Sequence, residues 1–190
     1  MPFTPFHWGP SSWIGLLFFR FINIGAFLVG SVIIDIEPFC VLFFKLNYPL
    51  HGFLHSYLGS TIIAIFTAWL YYYFKTIINK FWQPFKLAQN SSFLSIFFSC
   101  LLGVYLHVLL DSFIYQDIKP FFPASIKPFY GKIPSSIIYS FCSLSFIIGG
   151  LLYFKKITTG KWKLLFKVLS VIALTATLLF VVVMYANINK

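Results

Sequence analysis

Charge is scarce in this chain, and negative charge is nearly absent. Of 190 residues only 9% are charged, and four of those are acidic. A soluble domain carries roughly 25% charged residues, so an all-round aqueous surface is excluded. Cysteine is sparse as well: Cys40, Cys100 and Cys142 each stand alone in an apolar run, with no CxxC spacing. That pattern excludes a disulfide framework or a thiolate metal site and leaves them as packing residues. No basic stretch precedes the first apolar segment and no small-residue cleavage site follows it, so a cleaved signal peptide is not expected. Internal repeats and low-complexity tracts are also missing, and residues 1–190 read as a single transmembrane domain.

What remains is apolar. Hydrophobic residues make up 59% and aromatics 22%, including 26 Phe, and the mean hydropathy is +0.88. At roughly 20 residues per span, such a chain allows about four to six helices. Four full spans are expected, over residues 51–74, 92–113, 135–154 and 164–186. The net charge of +10 does not point to nucleic acid, because the basic residues sit in short loops between apolar runs.

The region before residue 51 is ambiguous. Residues 11–34 can form one span, but Arg20 would then lie near its middle at a cost of about 2.5 kcal/mol or more. Two short helices, 11–19 and 23–34, turning around Arg20, avoid that cost. The expected fold is therefore all-α: a polytopic transmembrane helical bundle with four full spans plus an N-terminal re-entrant helical hairpin. Residues 39–44 form a further short segment. Residues 1–123 would hold the polar half and 124–190 two C-terminal supporting spans.

Histidine and acid are confined to the first part of the chain. His7, His51, His55, His107, Asp35, Glu37, Asp111 and Asp117 account for all of them, and none follows residue 117. Ionisable groups within apolar spans point to function. Read as helix, His51 and His55 share one face, as do His107 and Asp111. Consecutive antiparallel spans bring the start of one to the end of the next, so these four meet at one membrane surface. Small residues line both segments: Gly52, Ser56, Ser60, Ala64 and Ala68 on the first, Ser95, Ser99 and Gly103 on the second. Such stripes let transmembrane backbones approach closely.

Imidazole with carboxylate suits zinc first, and also manganese or iron(II), better than calcium or magnesium. Four ligands fill one tetrahedral zinc; Asp35, His7 and Glu37 leave room for a second ion or a base. Asp35 and His7 reach that surface only if the segment between them is a hairpin; each is otherwise a capping or interfacial group. Glu37 precedes a proline and can neutralise a nearby cation, and Asp117 falls in a polar loop. These two are the candidate general bases. Ser56 has no base-and-orienter arrangement around it, which argues against a serine nucleophile.

The segments MPFTPFHWGP, SVIIDIEPF, LHGFLHS and HVLLDS resemble those of the predicted membrane-bound metal-dependent hydrolases, the group around the bacterial inner-membrane protein YdjM and its archaeal relatives. The resemblance covers about residues 1–123. It implies His7, Asp35, His51, His55, His107 and Asp111 as ligands and a hydrolytic activity. Two positions depart from the bacterial pattern: Gly52 stands where an Arg follows the first middle histidine, and Tyr115-Gln116 where a Thr-containing pair follows the last Asp.

The expected function is that of a membrane-embedded metal-dependent hydrolase acting on a lipid or lipid-linked (phospho)ester at the membrane surface. Membrane lipids are the expected partners, with Lys119, Lys127 and Lys132 placed to attract anionic headgroups. A ceramidase-like lipid amidase and a non-catalytic membrane subunit with a structural metal are the alternatives. Eight lysines fall at the end of the bundle away from the site and five at the site end. The positive-inside rule then places the site on the extracytoplasmic side.

Overall fold

The computed structural model describes residues 4–158, and the expected span at 164–186 lies outside them. Among the described residues every regular element is helical. A 3₁₀ turn, Thr4–His7, leads into α1 (Trp8–Leu17). The chain turns back through residues 18–23 into α2 (Ile24–Ile33), which is followed at once by α3 (Ile36–Phe43). After a loop and the short 3₁₀ turn Phe53–His55 come α4 (Tyr57–Tyr73), α5 (Lys75–Trp82), α6 (Phe93–Ile114) and α7 (Ser135–Ile157).

Among the described residues three helical stretches are long and apolar enough to cross a membrane: Ile24–Phe43, Phe93–Ile114 and Ser135–Ile157. The last two match the expected spans closely. The first differs, because α3 extends the second arm of the hairpin instead of standing alone as a short segment at 39–44. The expected span at 51–74 is changed most. Helix α4 begins only at Tyr57, where Ser56 caps it by accepting from the Gly59 N–H at 3.0 Å. At Phe74 the chain bends by 77° into α5, and only as a bent pair do the two reach spanning length.

The turn between α1 and α2 puts Arg20 on the surface. Polar side chains complete this turn. Asn23 caps α2 by accepting from Ala26 N–H at 2.9 Å. Gln89 accepts from Ile24 N–H at 2.8 Å and donates to Phe19 O and Ile22 O at 2.7 and 2.9 Å. These bonds satisfy backbone groups that a helix terminus leaves open.

Helix α6 is the centre of the packing, with α2 on one side and α4 on the other; α1 packs on α2 and carries α7. Ala26, Ile34, Ala64, Ala68, Cys100, Val104 and Val108 form the main core. Two glycines set the α2–α6 distance. A Cβ at Gly30 would lie 2.5 Å from Cys100 O, and one at Gly103 2.5 Å from Phe27 O. The small-residue stripe of α6 therefore faces the hairpin: Ser99 accepts from Asn23 N–H, and Gly103 meets Phe27 and Ser31. On α4 the stripe acts as expected, since Ser60, Ala64 and Ala68 are fully buried. The opposite faces of α4 and α6 expose Ile62, Ile65, Phe66, Trp69, Leu94, Phe98 and Leu102, as suits contact with lipid.

Candidate metal centre

Pro38 begins the construction of the site. Without an N–H it cannot bond back to Ile34, and its ring opposes a helical carbonyl at that position, so α2 ends at Ile33 and α3 starts anew at Ile36. Asp35 N–H bonds to Val32 O instead of Ser31 O. The break leaves Asp35 at the junction and frees the Ser31 carbonyl, which lies 2.7 Å from Nδ1 of buried His107.

His107 and Asp111 sit one turn apart on α6, as the sequence indicates, with Nε2 and Oδ2 3.2 Å apart. Asp35 Oδ1 lies 3.4 Å from His107 Nε2 and 3.7 Å from His55 Nε2. His55, His107 and Asp111 are almost wholly buried. Asp35, His55, His107 and Asp111 each offer a ligand atom, and these atoms all lie within 4.8 Å of one another.

His7 and His51 flank this group. The His7 ring stacks on His107 with centroids 3.7 Å apart, and its Nε2 is 3.3 Å from Asp111 Oδ1. His51 is edge-on to His55 with centroids 4.8 Å apart, and its other face meets the Tyr115 ring. His51 and His55 are not on a helix, contrary to the expectation of a shared helical face. His51 lies in the loop, and His55 ends the 3₁₀ turn. The local backbone N–H groups explain this: those of Gly52 and Leu54 are taken by the Glu37 carboxylate, each at 3.0 Å.

The two remaining acids hold imidazoles from behind. Glu37 Oε2 is 2.8 Å from His55 Nδ1. Asp117 lies 3.0 Å from His51 Nδ1 and accepts from the His51 backbone N–H at 3.2 Å. Sequence considerations alone did not single out Ser31 as a partner, because its contribution is a backbone carbonyl that any residue carries.

Electrostatics differ among the imidazoles outside the spans. Burial, then the neighbouring His107, holds His7 below the ordinary imidazole value. Burial and His55 do the same for His51, against the pull of Asp117. For His55 burial acts downward too, but Asp35 and Glu37 outweigh it and its pKa is raised.

The donor set fits a divalent cation. Among the described residues His55 Nε2, His107 Nε2 and Asp111 Oδ1 are buried and find no hydrogen-bond partner, although ligand-type atoms lie close by. Buried polar atoms without partners are costly and rare. Ligand atoms around a tetrahedral zinc lie about 3.3–3.6 Å apart at bond lengths of 2.0–2.2 Å, close to the separations of 3.2, 3.4 and 3.7 Å for the His107–Asp111, His107–Asp35 and His55–Asp35 pairs. Two carboxylates among the four also balance a double positive charge.

No curated protein and no solved structure matches the chain. A family model does, that of the YdjM inner membrane protein, over residues 9–188. The match extends well past residue 123, where the resemblance in sequence motifs stops. Apolar spans, a buried His/Asp cluster and this near-complete coverage agree on one assignment: the chain is an integral membrane protein that belongs to the YdjM inner membrane protein family.

Proposed function

We propose that the chain is a membrane-embedded metal-dependent hydrolase acting on a lipid or lipid-linked (phospho)ester. The observation that carries this reading is the convergence of His55 Nε2, His107 Nε2 and Asp111 Oδ1, buried and without hydrogen bonds, beside Asp35. His55, His107, Asp35 and Asp111 would hold the ion, with zinc the best match to two imidazoles and two carboxylates and manganese or iron(II) next. His7 and His51 border the group and would complete it or contribute to a second ion. A divalent ion there supplies Lewis acidity toward a phosphoryl or acyl oxygen and an activated water at neutral pH.

The chain's own residues provide the rest. His7 stacks on His107, and His51, backed by the Tyr115 ring, flanks His55. Asp35 is the most accessible of the four acid and imidazole groups, which makes it the side from which a headgroup would enter. Lys119, Lys127 and Lys132 follow α6 in the loop beyond Asp111 and would draw anionic headgroups there.

Metal analysis of purified wild type against His55→Ala and His107→Ala tests the central claim. Bound metal in the wild type and its loss in both variants is expected; equal content in all three would remove it. Release of product from labelled phospholipid or lipid-linked phosphate by the loaded wild type separates a hydrolase from a structural metal protein.

The same reading places α1 and α2 as a re-entrant hairpin within a bundle of four full spans, with the metal end outside the cytoplasm. Single cysteines placed in the loop 115–134 test this. Labelling by an impermeant reagent in intact cells is expected, and protection would reverse the orientation.

A further inference from the structure

Glu37 is one of two acids with the right chemistry to act as a general base, yet its geometry assigns it other work. It sits in the first turn of α3 and is buried. The hydrogen bonds of its carboxylate go to one short segment. Oε2 accepts from Gly52 N–H at 3.0 Å and faces His55 Nδ1 at 2.8 Å, while Oε1 accepts from Leu54 N–H at 3.0 Å. An ionised carboxylate only accepts, so Nδ1 carries the proton and the opposite nitrogen, Nε2, is the one turned toward Asp35 and His107. The imidazole ring thus stands between Glu37 and the centre of the cluster. Asp117 repeats the arrangement at the other end of the segment, holding His51 by both its backbone N–H and its Nδ1.

Resting on the metal-centre reading above, we infer that Glu37 is a positioning residue, which clamps the segment 51–55 and presents His55 Nε2 to the metal. The segment needs such a clamp because it is not part of a helix. Apart from the short turn Phe53–His55, no backbone ladder fixes the direction of the His55 ring. Gly52 lies directly against the Tyr48 ring, where a Cβ would collide with it, and the Tyr48 hydroxyl accepts from Phe53 N–H at 3.0 Å. Glu37 and Tyr48 together therefore take the N–H groups of three consecutive residues, 52 to 54. Charge-assisted bonds of this kind are stronger than neutral ones and fix both tautomer and ring orientation.

The test is titration of the metal-stripped full chain in detergent with zinc, and with cobalt(II) to read the ligand field. Wild type, Glu37→Gln and Glu37→Ala are compared. Glu37→Ala is expected to weaken binding about 10–100-fold, the usual cost of losing an outer partner of a ligating histidine. Glu37→Gln is expected to fall between, because its amide oxygen can still accept from Nδ1 while its NH₂ confronts a backbone donor. Both variants should alter the cobalt spectrum. If the alanine variant does not fold, the glutamine variant carries the test alone. Wild-type affinity and an unchanged spectrum in Glu37→Gln would overturn the inference while leaving the metal centre in place. A wild-type chain that binds neither ion would bring down both.

Discussion

The carbonyl oxygen of Ser31 lies 2.7 Å from Nδ1 of His107, across the closest approach of α2 and α6. A carbonyl cannot donate, so this contact assigns the proton to Nδ1 and leaves Nε2 for a cation. It depends on two things in different parts of the chain. The break between α2 and α3, where Asp35 N–H turns to Val32 O, frees the carbonyl, and Gly30 and Gly103 let the two backbones come close enough to use it.

Gly103→Val should therefore harm both fold and site. Its side chain would meet Phe27 O and Ser31 N, at 2.5 and 2.7 Å from the Cβ alone. Overpacking of this kind costs about 1–3 kcal/mol. A lower melting temperature in detergent is expected, together with weaker zinc binding as Ser31 withdraws from His107. An unchanged melting temperature would show that the two helices have slack at this point.

Gln89→Ala should act on the fold and spare the site. The substitution leaves Ile24 N–H, Phe19 O and Ile22 O without their side-chain partner. Losing partners for partly buried backbone groups costs about 1–3 kcal/mol. The turn 18–23 adjoins the start of α2, whereas Asp35 follows its end, so the two lie at opposite ends of this helix. The melting temperature should fall while zinc affinity stays within about twofold of wild type, the scatter allowed for distant sites.

Metal binding should strengthen with rising pH. Burial disfavours the charged His55, but Asp35 and Glu37 override it and raise its pKa, so the metal-free protein holds this proton to higher pH than an ordinary histidine and the ion must compete with it. His7 and His51 are held below the ordinary value, so they give up theirs at lower pH. Affinity should change about tenfold per pH unit for each proton displaced, up to the raised value. In the metal-free protein the sign is opposite. A raised histidine contributes stability that is complete below the ordinary imidazole pKa and is lost as pH rises through the folded one. Melting curves recorded upward from the ordinary imidazole pKa, with chelator and with zinc, should thus diverge; parallel curves would contradict the assignment to His55.

The residues of the site were legible in the sequence because histidine and acid are so rare in it. In a chain with four acids, each one placed near a histidine stands out. His107 and Asp111 could be paired by spacing alone, since both lie on a long uninterrupted helix. His51 and His55 could not. Their four-residue spacing suggests a helical face, yet the fold brings them together in a loop whose N–H groups go to Glu37 and Tyr48. Periodicity carries information only where the backbone follows that period.

By itself, the sequence determined the apolar class of the chain, the long helices α6 and α7, the turn at Arg20 and the small stock of histidines and acids from which a cation site can be drawn. These follow from local composition: hydrophobic length, the cost of a charge in mid-span, and the chemistry of single side chains. Only the tertiary structure decided which groups face inward. It turned the α6 stripe toward α2, extended the hairpin through α3, and set Glu37 and Asp117 behind the imidazoles they hold. Those outcomes depend on contacts between segments far apart in the chain and on the backbone donors those contacts meet, neither of which has a signature in local sequence.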